Sequence, residues 1–266
     1  MLVDPASLVF STPLARLMTA AAARVPDTAE AFRSGGGVPW AAFGPDRREA
    51  QADGNRPFFL GPLGERWLPS VPGLDGRLRA GAAVADLGCG EGWASIGMAL
   101  AYPQVRVDGF DVDEASVRAA RGHAEERGVG DRVRFHHVDV AHPDDGHDGR
   151  YDLVTAFECV HDLGDPVGFL ATARRMLAPG GEVLVVDEAA PERFTGQQDA
   201  LERLLYGWSV LICLPDGMSH EGSVGTGTVM RPDVLRGYAE RAGFASVEVL
   251  DIEHDLWRFY RLVPAS

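Results

Sequence analysis

Residues 84–92, Val84-Ala85-Asp86-Leu87-Gly88-Cys89-Gly90-Glu91-Gly92, constrain this chain more than any other stretch. A short apolar run meets an acid and then a turn with glycine at every second position. Glycine has no Cβ and tolerates positive φ, so such a turn lets the backbone pass close beneath a ligand. Residues 93–100 read as a helix whose first amides face the same spot, a geometry that suits a nucleotide-type ligand. The acid narrows the choice. Dinucleotide folds space their glycines as Gly-x-Gly-x-x-Gly and set a pyrophosphate on the helix start. Here the third glycine comes one position early, and Trp93 stands where that motif needs Gly or Ala. Asp86 would repel a pyrophosphate and attract an ammonium.

S-adenosylmethionine carries an amino-acid ammonium and a sulfonium, and no phosphate. The nine-residue string resembles the first motif of class I S-adenosylmethionine-dependent methyltransferases, and the order of elements behind it is similar too. Residues 105–112 read as a second strand ending in Asp111, at the distance where such folds place a ribose-binding acid. A carboxylate there accepts from both ribose hydroxyls. Residues 133–140 read as a third strand, whose Asp139 resembles the residue that meets the adenine amino group. Residues 151–159 and 182–188 are a fourth and a fifth strand. The resemblance implies that Asp86, Gly88, Cys89, Gly90, Val112, Val140, Phe157 and Glu158 complete the donor's surroundings.

The helices expected between these strands fit a doubly wound sheet. Asp113 can cap a helix running to about Gly128, and Asp165-Pro166 is an N-cap with proline in the first turn. Phe169, Leu170, Ala173 and Leu177 recur at helical spacing until Pro179-Gly180-Gly181, and residues 232–242 repeat the pattern. Residues 246–252 and 256–262 follow as two strands so close that they can only pair antiparallel. The expectation is an α/β fold: a seven-stranded, Rossmann-like methyltransferase sheet with one antiparallel strand, an N-terminal helical segment and a lid insertion.

Composition agrees. A chain of 266 residues with 45% hydrophobic content can bury one α/β core. No apolar run reaches membrane-spanning length, no signal peptide is legible, and Cys89, Cys159 and Cys213 are too scattered for a disulfide framework. The expected location is cytoplasmic, without membrane partners. The formal net charge of −14 argues against nucleic acid, since phosphate neutralisation needs clustered cations. Where base-modifying methyltransferases often carry an Asn- or Asp-Pro-Pro-aromatic string, this chain has Phe157-Glu158-Cys159-Val160-His161-Asp162. A small-molecule acceptor is expected.

Two segments lie outside the core, which divides the chain into residues 1–80 and a donor-binding domain over 81–266. Residues 7–32 read as helical, whereas 35–72 are rich in Gly, Pro, Trp and Phe. The second segment, an insertion over 189–231, carries an expected helix from Gln198 to Ile212. Both lie where ligands of open α/β sheets collect, so they are expected to form a lid over the acceptor. Trp40, Phe43, Tyr206, Trp208 and His220 are its candidate lining. Gly36-Gly37-Val38-Pro39-Trp40, Leu211-Ile212-Cys213-Leu214-Pro215, Gly225-Thr226-Gly227-Thr228 and Trp257-Arg258-Phe259-Tyr260 resemble a subgroup of bacterial methyltransferase-like proteins. Its longer members carry an N-terminal winged-helix region used for dimerisation, so a homodimer stays open for this chain.

Methyl transfer from a sulfonium has a good leaving group, so proximity, orientation and desolvation supply most of the catalysis. O-methylation of a small, largely apolar acceptor is the expected reaction, with carbon and nitrogen acceptors left open. His161-Asp162-Leu163-Gly164-Asp165 resembles the His-Asp-Trp-Ser-Asp string of small-molecule O-methyltransferases, which implies His161 as a general base, with His220 of the insertion as a second candidate. Leu163 and Gly164 depart from that string. No metal site is expected: the acids after the fourth strand do not form a cluster of the catechol type, and the thiols do not supply a metalloid set. A protein that binds the donor without turning it over is the alternative reading.

Overall fold

The computed structural model describes residues 4–141, 145–194 and 200–265. Seven strands form one sheet: β1 (Ala83–Leu87), β2 (Arg106–Asp111), β3 (Val133–His137), β4 (Tyr151–Phe157), β5 (Leu177–Glu188), β6 (Phe244–Val249) and β7 (Trp257–Pro264). Their spatial order is β3-β2-β1-β4-β5-β7-β6. The first five run parallel, and β7 lies antiparallel to both β5 and β6. The expected arrangement is the one observed.

Alternation along the strands feeds a core on each face, as a sheet covered on both sides requires. Val84, Leu153, Leu184 and Phe259 enter one cluster, together with Ile96 and Met98 of helix α5 (Trp93–Ala101) and Val117 and Ala120 of α6 (Glu114–Glu126). Ala85, Leu87, Val154, Val185 and Tyr260 enter the other, against α7 (Pro166–Met176) and α9 (Pro232–Arg241). The caps expected at Asp113 and Asp165 are present: their side chains accept from the amides of Ser116 and Gly168.

The N-terminal segment is helical, but not continuously. The run expected over 7–32 divides into α1 (Thr12–Ala23) and α2 (Val25–Ser34). Pro26 has no amide hydrogen to continue α1, yet it fits the first turn of a new helix. Within the Gly- and Pro-rich stretch lies α3 (Gly44–Leu60), which composition conceals because Gly54 and Pro57 sit inside it. Phe59, Leu63, Trp67, Leu68 and, in α4 (Leu74–Gly81), Leu74 and Leu78 share the core of the α5 face. The start of the insertion helix expected at Gln198 lies outside the described residues. That helix, α8, is described over Ala200–Trp208 and is followed by a wider turn, Ser209–Cys213. No helix among the described residues is long and apolar enough to cross a membrane.

Strand order reverses between β1 and β4, and open α/β sheets collect ligands outside the carboxyl ends of the strands at such a point. Register brings the ends level: Leu87 pairs with Phe110 on one side and Ala156 on the other, and Asp111 pairs with His137.

Candidate active site

A cavity of about 570 Å³ opens at this reversal. The glycine turn forms its floor. Gly88 and Gly90 hold φ of 68° and 53°, and a Cβ added to Gly90 would meet nothing within 4 Å, so the backbone is bare toward the cavity. The Gly88 and Cys89 amides donate to Phe110 O, which ties the turn to the end of β2.

Asp86 lies on the α5 face by strand alternation, and its carboxylate is 1% exposed. Ser95 Oγ of α5 donates to Oδ2 at 2.6 Å, and Thr155 Oγ1, its register partner on β4, donates to Oδ1 at 2.9 Å. Burial, with a contribution from the Asp111 charge, pushes this acid up to about 6 in spite of those hydroxyls. Asp111 accepts from the amides of Gly90 (2.7 Å) and Asp113 (2.8 Å), so the ribose-type acid also braces the turn. Burial raises it as well. Asp139 is exposed at the cavity edge and accepts from the Ala141 amide.

The structure brings all ten expected donor-site residues to this one cavity: Asp86, Gly88, Cys89, Gly90, Asp111, Val112, Asp139, Val140, Phe157 and Glu158. The lining fits an ammonium-bearing donor better than a phosphate-bearing one. Among its described residues Arg48 is the one arginine or lysine, and it faces Glu91 (3.5 Å) and Asp113 (4.0 Å). A pyrophosphate would lie among Asp86, Asp111 and Asp113 without a free cation.

Of the expected acceptor residues, Trp40 and His220 line the cavity. The Trp40 ring is held by the Arg47 guanidinium 3.8 Å from its centroid, and its amide donates to Asp216 Oδ1 at 2.7 Å. His220 packs against the loop after β4, where a Cβ added to Gly164 would come within 2.8 Å of its Cβ. Glycine replaces the serine of the similar motif at the place where the insertion passes. The other three aromatics lie outside the cavity lining. Phe43 is buried with Ala21, Val38, Ile212 and Cys213 in a small core that joins the N-terminal helices to the insertion. Tyr206 turns its hydroxyl to Arg231, which also pairs with buried Glu202. Trp208, on the same helix, does not reach the cavity lining either. Aromatic character marked these positions, but the face each helix presents was set by tertiary packing.

His161 is 2% exposed and lies behind the wall that Asp162 forms. Its Nδ1 is 2.6 Å from Asp187 Oδ1 and 2.9 Å from Glu188 Oε2, and its Nε2 is 3.1 Å from Asp162 Oδ1. Burial opposes the imidazolium, but these three carboxylates hold its pKa well above the usual value. With Nδ1 bonded to Asp187, Nε2 beside Asp162 and the ring outside the cavity lining, the geometry gives the expected base role no support. Burial also pushes the thiols up, Cys89 and Cys159 well above normal and Cys213 to about 12, which keeps them protonated.

Sequence reasoning missed α3. Arg48, Gln51, Ala52, Asn55 and Phe59 form a stripe at helical spacing along the cavity. The polar i, i+4 pair Gln51 and Asn55, on a stripe that ends in buried Phe59, was the available signal.

Residues 78–218 match the family described as Methyltransferase domain, and the chain belongs to that family. It is 30% identical to the ubiquinone biosynthesis O-methyltransferase of Aromatoleum aromaticum over 74% of this chain and 76% of that protein. Among solved structures it is similar to an O-methyltransferase family protein from Burkholderia thailandensis (TM-score 0.72, 17% identity, covering 97% of this chain and 73% of that one). A second is human N-acetylserotonin methyltransferase, solved with S-adenosylmethionine (TM-score 0.66, 17% identity, 99% and 72%). The chain is a methyltransferase.

Proposed function

We propose that this enzyme transfers the methyl group of S-adenosylmethionine to an oxygen of a small, largely apolar acceptor. The observation that carries the reading is one cavity at the strand-order reversal, with acids at the ends of β1 and β2, a third just past β3, and Trp40 and Leu163 among its walls. The O-methyltransferase names of its relatives support oxygen as the target. Bound, the donor supplies a methyl group on a positively charged sulfur with a good leaving group. Asp86 holds the ammonium, Asp111 the ribose hydroxyls and Asp139 the adenine edge.

The acceptor end is roofed by two segments stitched together. The Val38 amide donates to Pro215 O at 2.8 Å, and the Val224 amide donates to Gly164 O at 3.1 Å. This roof excludes water and aligns the acceptor, which is where proximity catalysis gains its rate. His161 fixes Asp162 and Asp187 as a buried cation. Among the described lining residues, ten acids stand against Arg48 and His220, so the site repels polyanions such as nucleic acid. Calorimetry with S-adenosylhomocysteine should give binding heat where NADH gives none. Absence of heat with both S-adenosylhomocysteine and S-adenosylmethionine would end the reading.

A further inference from the structure

Glu158 is the one non-glycine residue with positive φ among the described residues, at 51°. That conformation costs free energy and persists only where the surroundings impose it. Here the Glu158 amide donates to Val186 O at 2.7 Å, which fixes the backbone against β5. Two amides of α3 then seize the side chain: Asn55 Nδ2 donates to Oε2 at 2.5 Å and Gln51 Nε2 at 3.2 Å. These donors are neutral, so they orient the carboxyl without cancelling its charge. Glu158 directly follows β4, and the next residue, Cys159, abuts the donor turn: a Cβ on Gly88 would lie 2.8 Å from its Sγ. Glu158 lines the cavity beside the donor turn, together with Gln51 and Asn55.

We propose that Glu158 takes the proton of the acceptor hydroxyl as the methyl group moves. The proposal rests on the O-methyl transfer argued above. The hydroxyl oxygen forms the new O–C bond, and the S–C bond breaks with its electron pair passing to sulfur, which becomes a neutral thioether. The hydroxyl proton passes to a Glu158 carboxylate oxygen and leaves to water after product departs. Burial, joined by the Asp187 charge, pushes Glu158 up to about 7, while Asn55, the His161 imidazolium and the Trp257 indole pull it down. The Arg47 guanidinium faces it as well. A base titrating near the working pH is the effective one. Asp216 is also lifted to about 7, but it belongs to the insertion and spends Oδ1 on the Trp40 amide.

The test uses the full chain with S-adenosylmethionine, reading S-adenosylhomocysteine release with catechol, resorcinol and 2-naphthol, then with the more acidic 4-nitrophenol. Glu158→Gln should lose about 10²–10³-fold in kcat on the weakly acidic phenols, the range of a general base. It should lose far less on 4-nitrophenol, which ionises without help. Wild-type kcat/KM should fall below about pH 7, and the variant should lack that limb. Glu158→Asp, tested in parallel, should retain the limb at a reduced rate. Equal losses on all phenols, an unchanged limb in Glu158→Gln, or full activity would each overturn the assignment. A wild-type enzyme that binds S-adenosylhomocysteine but methylates none of the phenols would instead overturn the hydroxyl-acceptor reading, and this proposal with it.

Discussion

Replacing Asp86 by Asn should strengthen the ligand-free fold while weakening donor binding. The carboxylate is 1% exposed, and burial lifts it from 3.8 to about 6. A raised folded-state pKa means that stability present below 3.8 is lost as pH rises through about 6. The difference of about 2.2 pH units, at about 1.36 kcal/mol each, is ~3 kcal/mol of penalty at neutral pH. Asparagine removes the charge, but one of the two hydroxyl donors, Ser95 or Thr155, must turn round to accept from the new amide. We therefore expect a net gain of ~1–2 kcal/mol, at about 2–4 °C in Tm per kcal/mol for a chain of this size. Donor binding loses a charge-assisted hydrogen bond of ~1.5–3 kcal/mol, so affinity falls about 10–150-fold. Thermal melts of the ligand-free protein at pH 7.5 and 5.0 read the first effect, and calorimetry with S-adenosylhomocysteine reads the second. The stabilisation should shrink at pH 5.0, where the wild-type carboxyl is largely protonated. Equal melts at pH 7.5, or an affinity within threefold of wild type, would refute the reasoning.

Other substitutions separate the cavity from its supports. His161→Asn strands Asp162 and Asp187 without their cation and should cost ~3–5 kcal/mol in urea unfolding. Since the imidazole pKa is raised, the wild-type advantage should be complete below pH ~6.5 and vanish as pH climbs through the folded value; an advantage that grows with pH would contradict the network. Trp40→Ala should raise acceptor KM about 10-fold or more by removing a desolvated aromatic wall, whereas Tyr206→Phe should leave KM unchanged in the same initial-rate assay. Gly164→Ser places a Cβ against His220; it should raise acceptor KM with donor affinity intact, and a fall in both would place the clash elsewhere.

What the sequence made legible was backbone, and what it hid was orientation. The turn over residues 84–92 could be read because its glycines are demanded by local φ, which consecutive residues encode. Asp111 and Asp139 were legible for the same reason: strand period and chain order fix where a strand ends. Side-chain facing depends on partners far away in the chain. His161 meets Asp187 and Glu188, which motif comparison around residue 161 does not display. Its position was therefore legible and its availability was not. Tyr206 reads as a pocket aromatic until Arg231 claims its hydroxyl. The residue whose proposed base role was hardest to see in the sequence is Glu158. Its neighbours in sequence mark only a strand end, and its strain becomes visible once Asn55 and Gln51, more than 100 positions away, converge on it. Local rules fail at such a point because tertiary contacts enforce a conformation the residue would not choose, which is the physical reason to look there for chemistry.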